Sequence, residues 1–449
     1  MLEIFCPGST ACEERMKTIR GRMSEWAGLT ENKDYRITSK RVFGSVLPPD
    51  EAVRRIVRDV RDNGDKALLS YTKAFDNTDM PQERIQVSPQ EIEQSLQEVP
   101  EEFKSALKKA VSRVETFQRK ILDSRKPVSG TELSQRQTAV DRAGIYIPGG
   151  IGGDTPLVSS VYMNVIPAQA AGVEDIIVCT PPGPDGALSP YMCAALSACG
   201  ITRVFRAGGA QAIAAMAYGT ETIPRADIVA GPGNLFVMLA KKEVFGQAGI
   251  DLLAGPSEIC VIADTTADPA CAAADLLSQA EHDPLSSSIL ITDSRSFAEQ
   301  VNDEISRRLQ GLSRSKTAES ALSRYGAVIL TDSLAEAAET ANRIAPEHLE
   351  IMTQEPSALV PLIRNAGTVF LGRSSPEALG DYIAGPSHTL PTGGTARFSS
   401  GLSAETFLKR TSVISISEKT FEELSVDAMV LARTEGLEAH RDSISVRTE

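Results

Sequence analysis

Apolar residues in the first third of the chain recur at helical spacing. From Glu101 to about Asp123, the positions Phe103, Ala106, Leu107, Ala110, Val111, Val114, Phe117 and Ile121 fall three or four apart, which predicts one amphipathic helix. Asp50 precedes a second such stripe (Ala52, Ile56, Val57, Val60) and reads as its N-cap. Ser88-Pro89-Gln90-Glu91 forms a capping box with proline at the first helical position. The first 140 residues are therefore expected to be mainly helix. Residues 1–40, polar and rich in Met, Arg and Glu, form a helical arm at the start.

Near Gly144 the pattern changes to short β-branched runs alternating with Ala-rich helical ones. Strands are expected at Gly144–Ile147, Asp175–Cys179, Arg203–Arg206, Ile228–Val229, Ile259–Ala263, Ser288–Thr292, Ala327–Leu330 and Thr368–Leu371. Helices fall between them at Leu157–Ala171, Pro190–Ala198, Gln211–Tyr218, Pro269–Glu281 and Leu334–Ile344. Such alternation builds α/β units with mainly parallel sheets. A break near Leu253–Pro256 divides the run into two sheets, and past about Ser403 the chain is again polar and helical.

Composition narrows the function. The 449 residues are 42% apolar and 23% charged, so a large core is possible, and the length alone suggests about three domains. A net charge of −13 leaves no basic surplus to meet phosphates, which argues against nucleic acid and anionic membrane as partners. A small cationic substrate stays open. The N-terminal residues lack the charged start and apolar run of a secretory signal, and no apolar run of about 18 residues is present. The seven cysteines are odd in number and form no CxxC pair, so a reducing cytoplasm is the expected location.

Histidine is scarce, and all four sit in polar or turn contexts. In Gln279-Ala280-Glu281-His282-Asp283-Pro284 an amide and an imidazole lie three apart on one helix face, half of a possible zinc site; the string serves equally as an ordinary helix C-terminus. Glu347-His348 joins a carboxylate to an imidazole between a helix and a short strand, a placement for acid–base work or for a salt-bridged turn. Glu377, Asp381 and His388 fall in a run of tight turns that can aim side chains. His440 stands nine residues from the C-terminus, where a histidine is often dispensable. No GxGxxG follows any strand. Three Gly-rich turns can still receive a ligand at strand ends: Tyr146-Ile147-Pro148-Gly149-Gly150, Gly208-Gly209-Ala210-Gln211 and Gly231-Pro232-Gly233-Asn234. A zinc hydrolase has no use for these turns, and a non-catalytic binding protein has none for Glu347-His348.

The strings YIPGG, GGAQAIAAMAYGTE, GPGN, AGPSE, LLSQAEH, PEHLE, SPEALGDY, GPSHTLPT and EGLEAH occur in order from Tyr146 to His440. Together they resemble the histidinol dehydrogenase family. The resemblance implies an α/β fold of two incomplete Rossmann-like domains with mainly parallel sheets, the second inserted in the first, plus small helical N- and C-terminal extensions. The implied boundaries are 1–40 for the first extension, 41–145 with 257–402 for the catalytic domain, 146–256 for the NAD-side domain, and 403–449 for an extension reaching a partner subunit. It further implies a homodimer with shared active sites, taking L-histidinol and two NAD to L-histidine at the last step of histidine biosynthesis. By the family pattern Gln279, His282 and Asp381 bind one zinc per subunit, and His440 from the other chain completes the ligands. Glu347 and His348 look like the acid–base pair. Ser257, His388, Glu435 and Glu377 resemble substrate-binding positions, and Tyr146, Gln211 and Asn234 the NAD contacts.

Overall fold

Strands that are apolar at every position need cover on both faces, as in parallel sheets flanked by helices. The computed structural model describes residues 2–22, 29–125, 128–149 and 156–448, and it arranges these strands in two wholly parallel sheets. One has six strands in the order Ile4–Phe5, Ala327–Leu330, Ser287–Thr292, Glu258–Ala263, His348–Met352, Thr368–Leu371. The other has five, in the order Val204–Arg206, Asp175–Thr180, Arg142–Tyr146, Ile228–Ala230, Gly249–Ile250. From Glu258–Ala263 in the first sheet, where Ile4–Phe5 only adds at the edge, and from Arg142–Tyr146 in the second, the chain lays three strands in one direction, returns beside the first of them, and continues the other way. That reversal is the switch point of doubly wound folds. All five strands of the second sheet fall between Ile4–Phe5 and Glu258–Ala263, so in chain order the second sheet is inserted within the first.

Both faces of the six-stranded sheet are packed. Ile259, Val261 and Leu290 meet Ala273, Leu276 and Leu277 of helix Pro269–Ala280 on one side. Cys260, Ile262, Leu349 and Ile351 meet Ala337 and Ala341 of helix Leu334–Ile344 on the other. Pro49–Asp76 is two helical segments that meet in a kink at Gly64 (φ 52°). Their stripe Val53, Ile56, Val57, Val60 and Leu68 packs with Ile213, Phe205 and Val229 on the five-stranded sheet.

Two segments expected to be helical contain strands. Ile4–Phe5 adds to the edge of the six-stranded sheet, anchored where Asn302 exchanges hydrogen bonds of 2.8 and 3.0 Å with the backbone of Leu2. Two residues are too few to carry a periodic signal. Leu133–Ala139 pairs antiparallel with Leu408–Ile414. These strands have no buried face, so the alternation that marks a half-buried strand is missing.

Residues 123–139 and 408–449 form a small compact unit apart from 1–122 and 140–407. Besides the strand pair it holds helix Glu418–Thr434, whose N-cap Ser417 accepts from Thr420 N, and helix Glu438–Ser445. Leu424, Val426, Val430 and Leu431 of the longer helix are exposed.

Candidate active site

The amino-terminal edge of the six-stranded sheet gathers the titratable groups. Helix Leu334–Ile344 ends at Ala345, which takes the left-handed conformation (φ 54°) and donates to Ala341 O at 2.7 Å. Pro346 follows, then Glu347 and the strand that begins with His348. Alternation along that strand puts His348 and Glu350 on the face of Met352, toward helix Pro269–Ala280, and Leu349 and Ile351 on the other. The same helix delivers Gln279 at its end. The short helix Glu377–Tyr382 carries Glu377 and Asp381 one turn apart on one face.

These elements converge. His348 Nε2 lies 3.8 Å from Glu377 Oε1 and 3.9 Å from Asp381 Oδ1. His388 Nδ1 is 3.9 Å from the same Asp381 oxygen and 3.1 Å from the Asp381 carbonyl, while its Nε2 is 3.5 Å from Ser160 Oγ. His348 Nδ1 meets the Glu258 carbonyl at 3.0 Å, so it carries the proton and leaves Nε2 as a lone pair facing the two carboxyls. Burial lowers the pKa of both His348 and His388, with Asp381 opposing it.

Glu347 and Glu258 hold each other. Glu258 N donates to Glu347 Oε2 at 2.8 Å, and Glu347 N donates to Glu258 Oε2 at 3.2 Å. Burial pushes the Glu347 carboxyl well above the ordinary carboxylate range. Glu258 is fixed in turn by Gly393 N at 2.8 Å and by a buried ion pair with Arg22. Glu377 is pushed up to about 9, by burial first and then by Asp381. Its backbone N–H donates to Glu350 Oε1 at 2.6 Å, and Ser278 Oγ donates to its carboxyl at 3.3 Å.

So many carboxyls cannot all ionise in one buried place without a cation. Among the described residues, ligand atoms of His348, Glu377 and Asp381 lie within 4.8 Å of one another. Gln279 Oε1 is buried with no hydrogen-bond partner, as an oxygen awaiting a metal would be. Oxygen donors mixed with imidazole suit zinc.

The other expected residues are placed as follows. His282 is exposed two positions past the helix. Ser257 is half-buried just before strand Glu258–Ala263. Glu435 ends helix Glu418–Thr434 and His440 lies in helix Glu438–Ser445, both exposed in the small unit. Sequence reasoning missed Glu258 and Ser160. A lone carboxylate opening the apolar run Glu258–Ala263 was a usable signal; Ser160 gave none.

The second sheet places its candidates at strand C-terminal ends. Tyr146 closes its strand, and its hydroxyl accepts from Gly209 N at 3.1 Å. Gln211 is buried in the first turn of helix Gly209–Tyr218. Asn234 caps helix Leu235–Val244, accepting from Phe236 N and Val237 N at 3.0 and 3.2 Å. Gly231 has φ 120°, and a Cβ there would stand 2.1 Å from the Tyr146 carbonyl, so only glycine fits. Gly150, the last residue of the first Gly-rich turn, lies outside the described residues. Tyr146 and the turn after Ala230 flank the switch point, the usual seat of a dinucleotide. Helix Ser159–Ala170 links this side to the segment that carries Asp381 and His388: Tyr162 donates to Tyr382 O at 2.7 Å, and Asn164 accepts from Thr389 at 3.0 Å.

Residues 46–448 match the family model described as histidinol dehydrogenase. A histidinol dehydrogenase of Synechococcus sp. is 46% identical over 421 residues, covering 92% of this chain and 95% of the relative. One of Bacillus subtilis is 49% identical over 402 residues, covering 88% and 92%. The crystal structure of histidinol dehydrogenase from Elizabethkingia anophelis superposes with a TM-score of 0.86 at 35% identity, over 100% of this chain and 98% of that one.

Proposed function

The chain belongs to the histidinol dehydrogenase family of NAD-dependent oxidoreductases, and on that premise we propose that it oxidises L-histidinol through L-histidinaldehyde to L-histidine, the last step of histidine biosynthesis. The observation that supports this best is the meeting of His348, Glu377, Asp381 and His388 at one sheet edge, with Glu347 adjoining. One zinc per subunit, held by Gln279, His282, Asp381 and His440 of the partner subunit, would supply a Lewis acid for the amino alcohol, and NAD the acceptor of each hydride.

The chain's own residues then act in order. His348 Nε2 takes the proton of the substrate hydroxyl as the carbon gives up its hydride. Burial keeps that imidazole neutral and ready for the proton. The aldehyde stays in the site. Glu347, a carboxyl whose raised pKa suits it to accept a proton from water, activates the water that adds to the aldehyde carbon. His348, its first proton released to solvent, then takes one from the resulting hydrate as the second hydride leaves. Ser257, Glu377, His388 and Glu435 are the proposed substrate contacts, and Tyr146, Gln211 and Asn234 the cofactor contacts. The division into a catalytic domain (41–145 and 257–402), an inserted NAD-side domain (146–256) and two extensions belongs to the same proposal. So does a cytoplasmic location, with which seven unpaired thiols and the lack of a membrane-spanning helix among the described residues agree.

The test is stoichiometric. L-histidinol, excess NAD and zinc should yield two NADH per substrate consumed. One NADH would mean an ordinary alcohol dehydrogenase.

The proposed assembly is a homodimer with shared sites. In support, the small unit leaves Leu424, Val430 and Leu431 exposed, apolar surface that a second subunit can cover. His282→Ala and His440→Ala should each be nearly inactive. Unfolded together and refolded, they form mixed dimers with one intact site, and activity should return to about a quarter of the native value. No recovery, with mixed dimers demonstrated, would defeat the sharing.

A further inference from the structure

The second strand of the five-stranded sheet, Asp175–Thr180, ends on Thr180-Pro181-Pro182. In doubly wound dinucleotide sites an acidic side chain downstream of the first strand binds the adenosine ribose. No acid stands at this strand's end. A carboxylate reaches the spot from elsewhere: Asp76, the last residue of helix Pro49–Asp76. A Cβ built on Gly208 would lie 3.3 Å from both Asp76 oxygens and 2.7 Å from Pro181, so the carboxylate sits against the glycine turn where helix Gly209–Tyr218 begins. The helix end carrying it is tied down, because Thr78 donates to Gly183 O at 3.0 Å.

Two orphaned atoms meet at this turn. Asp76 Oδ2 is buried with no hydrogen-bond partner, and so is Nε2 of Gln211, a residue only 1% exposed. An acceptor and a donor are thus left unused beside Tyr146, whose hydroxyl feels the Asp76 charge. Burial without a partner pushes the Asp76 carboxyl up to about 7. Leaving such atoms unpaired is costly, and a ligand with complementary groups relieves it. A phosphate would be repelled by the carboxylate, whereas a sugar hydroxyl would donate to it.

We infer that Asp76 accepts a hydrogen bond from the adenosine ribose of the dinucleotide and thereby selects NAD over its 2′-phosphorylated form. The inference rests on the NAD reading above. Equilibrium binding of NADH and NADPH to the full-length protein, followed by nucleotide fluorescence, tests it without turnover. The unsubstituted protein should prefer NADH. Asp76→Asn should weaken NADH by about 10-fold or more, the worth of a hydrogen bond to a charged group, and should spare or improve NADPH. Asp76→Glu, which keeps the charge, should keep the preference. Should Asp76→Asn not fold, Asp76→Ser is read the same way. An unchanged ratio of the two affinities, or equal weakening of both, would overturn the assignment and leave Asp76 a structural carboxylate. Binding of neither nucleotide to the unsubstituted protein would instead remove the NAD reading, and this assignment with it.

Discussion

Asp381→Ala is expected to lose zinc and turnover together. Asp381 Oδ1 faces both His348 and His388, at 3.9 Å from each, and Asp381 stands one helical turn from Glu377. Its removal takes an anionic oxygen from the proposed ligand set. It also removes the charge that opposes burial at His348 and His388, so both imidazoles would lose affinity for protons. Loss even of a group supporting a ligand typically costs about 10–100-fold in metal affinity, and loss of a ligand should cost at least that. Metal analysis after dialysis should show less than one zinc per subunit. Chelation of the unsubstituted protein should reproduce the loss of activity, and added zinc should reverse it. Full zinc content with full activity in Asp381→Ala would sink the ligand assignment.

The second large effect separates the two half-reactions. His348→Ala should slow oxidation of both L-histidinol and supplied L-histidinaldehyde, by the ~10²–10⁴-fold that a positioned general base contributes. Glu347→Gln should slow the alcohol step less than the aldehyde step, since only the latter consumes water. Equal losses in both steps for Glu347→Gln would defeat the division of labour. The pH profile follows from the same geometry. Burial lowers the His348 pKa, so its neutral form survives acidification better than an exposed imidazole would. Activity limited by His348 should therefore fall only below the usual imidazole range, and this acid limb should vanish from the residual rate of His348→Ala.

Much of this was legible along the chain. The β-branched runs and their Ala-rich partners announced the α/β class, because buried parallel strands are apolar throughout and need no alternation to be seen. The N-cap at Ser88 was visible for a local reason: its Oγ accepts from Glu91 N, three residues away, whereas the Glu91 carboxyl that a capping box would turn back pairs with Arg206. The strands Ile4–Phe5, Leu133–Ala139 and Leu408–Ile414 were not visible, being either too short or without a buried face.

The sequence by itself determined the chemical inventory. Four histidines, a Glu-His pair, an amide three residues before an imidazole, and ordered motifs are properties of residue type and spacing, and they sufficed to identify the family. Only the tertiary structure decided what surrounds each group. It set Glu347, His348, Glu377 and Asp381 together at the amino edge of one sheet and the nucleotide candidates at the carboxyl ends of the other. It brought Glu258 and Glu347 into mutual hydrogen bonds across 89 residues of chain, and Asp76 to a glycine turn more than a hundred residues away. The reason is physical. A protonation state depends on burial and on charges a few ångströms off, and those distances are set by long-range packing that local periodicity does not encode.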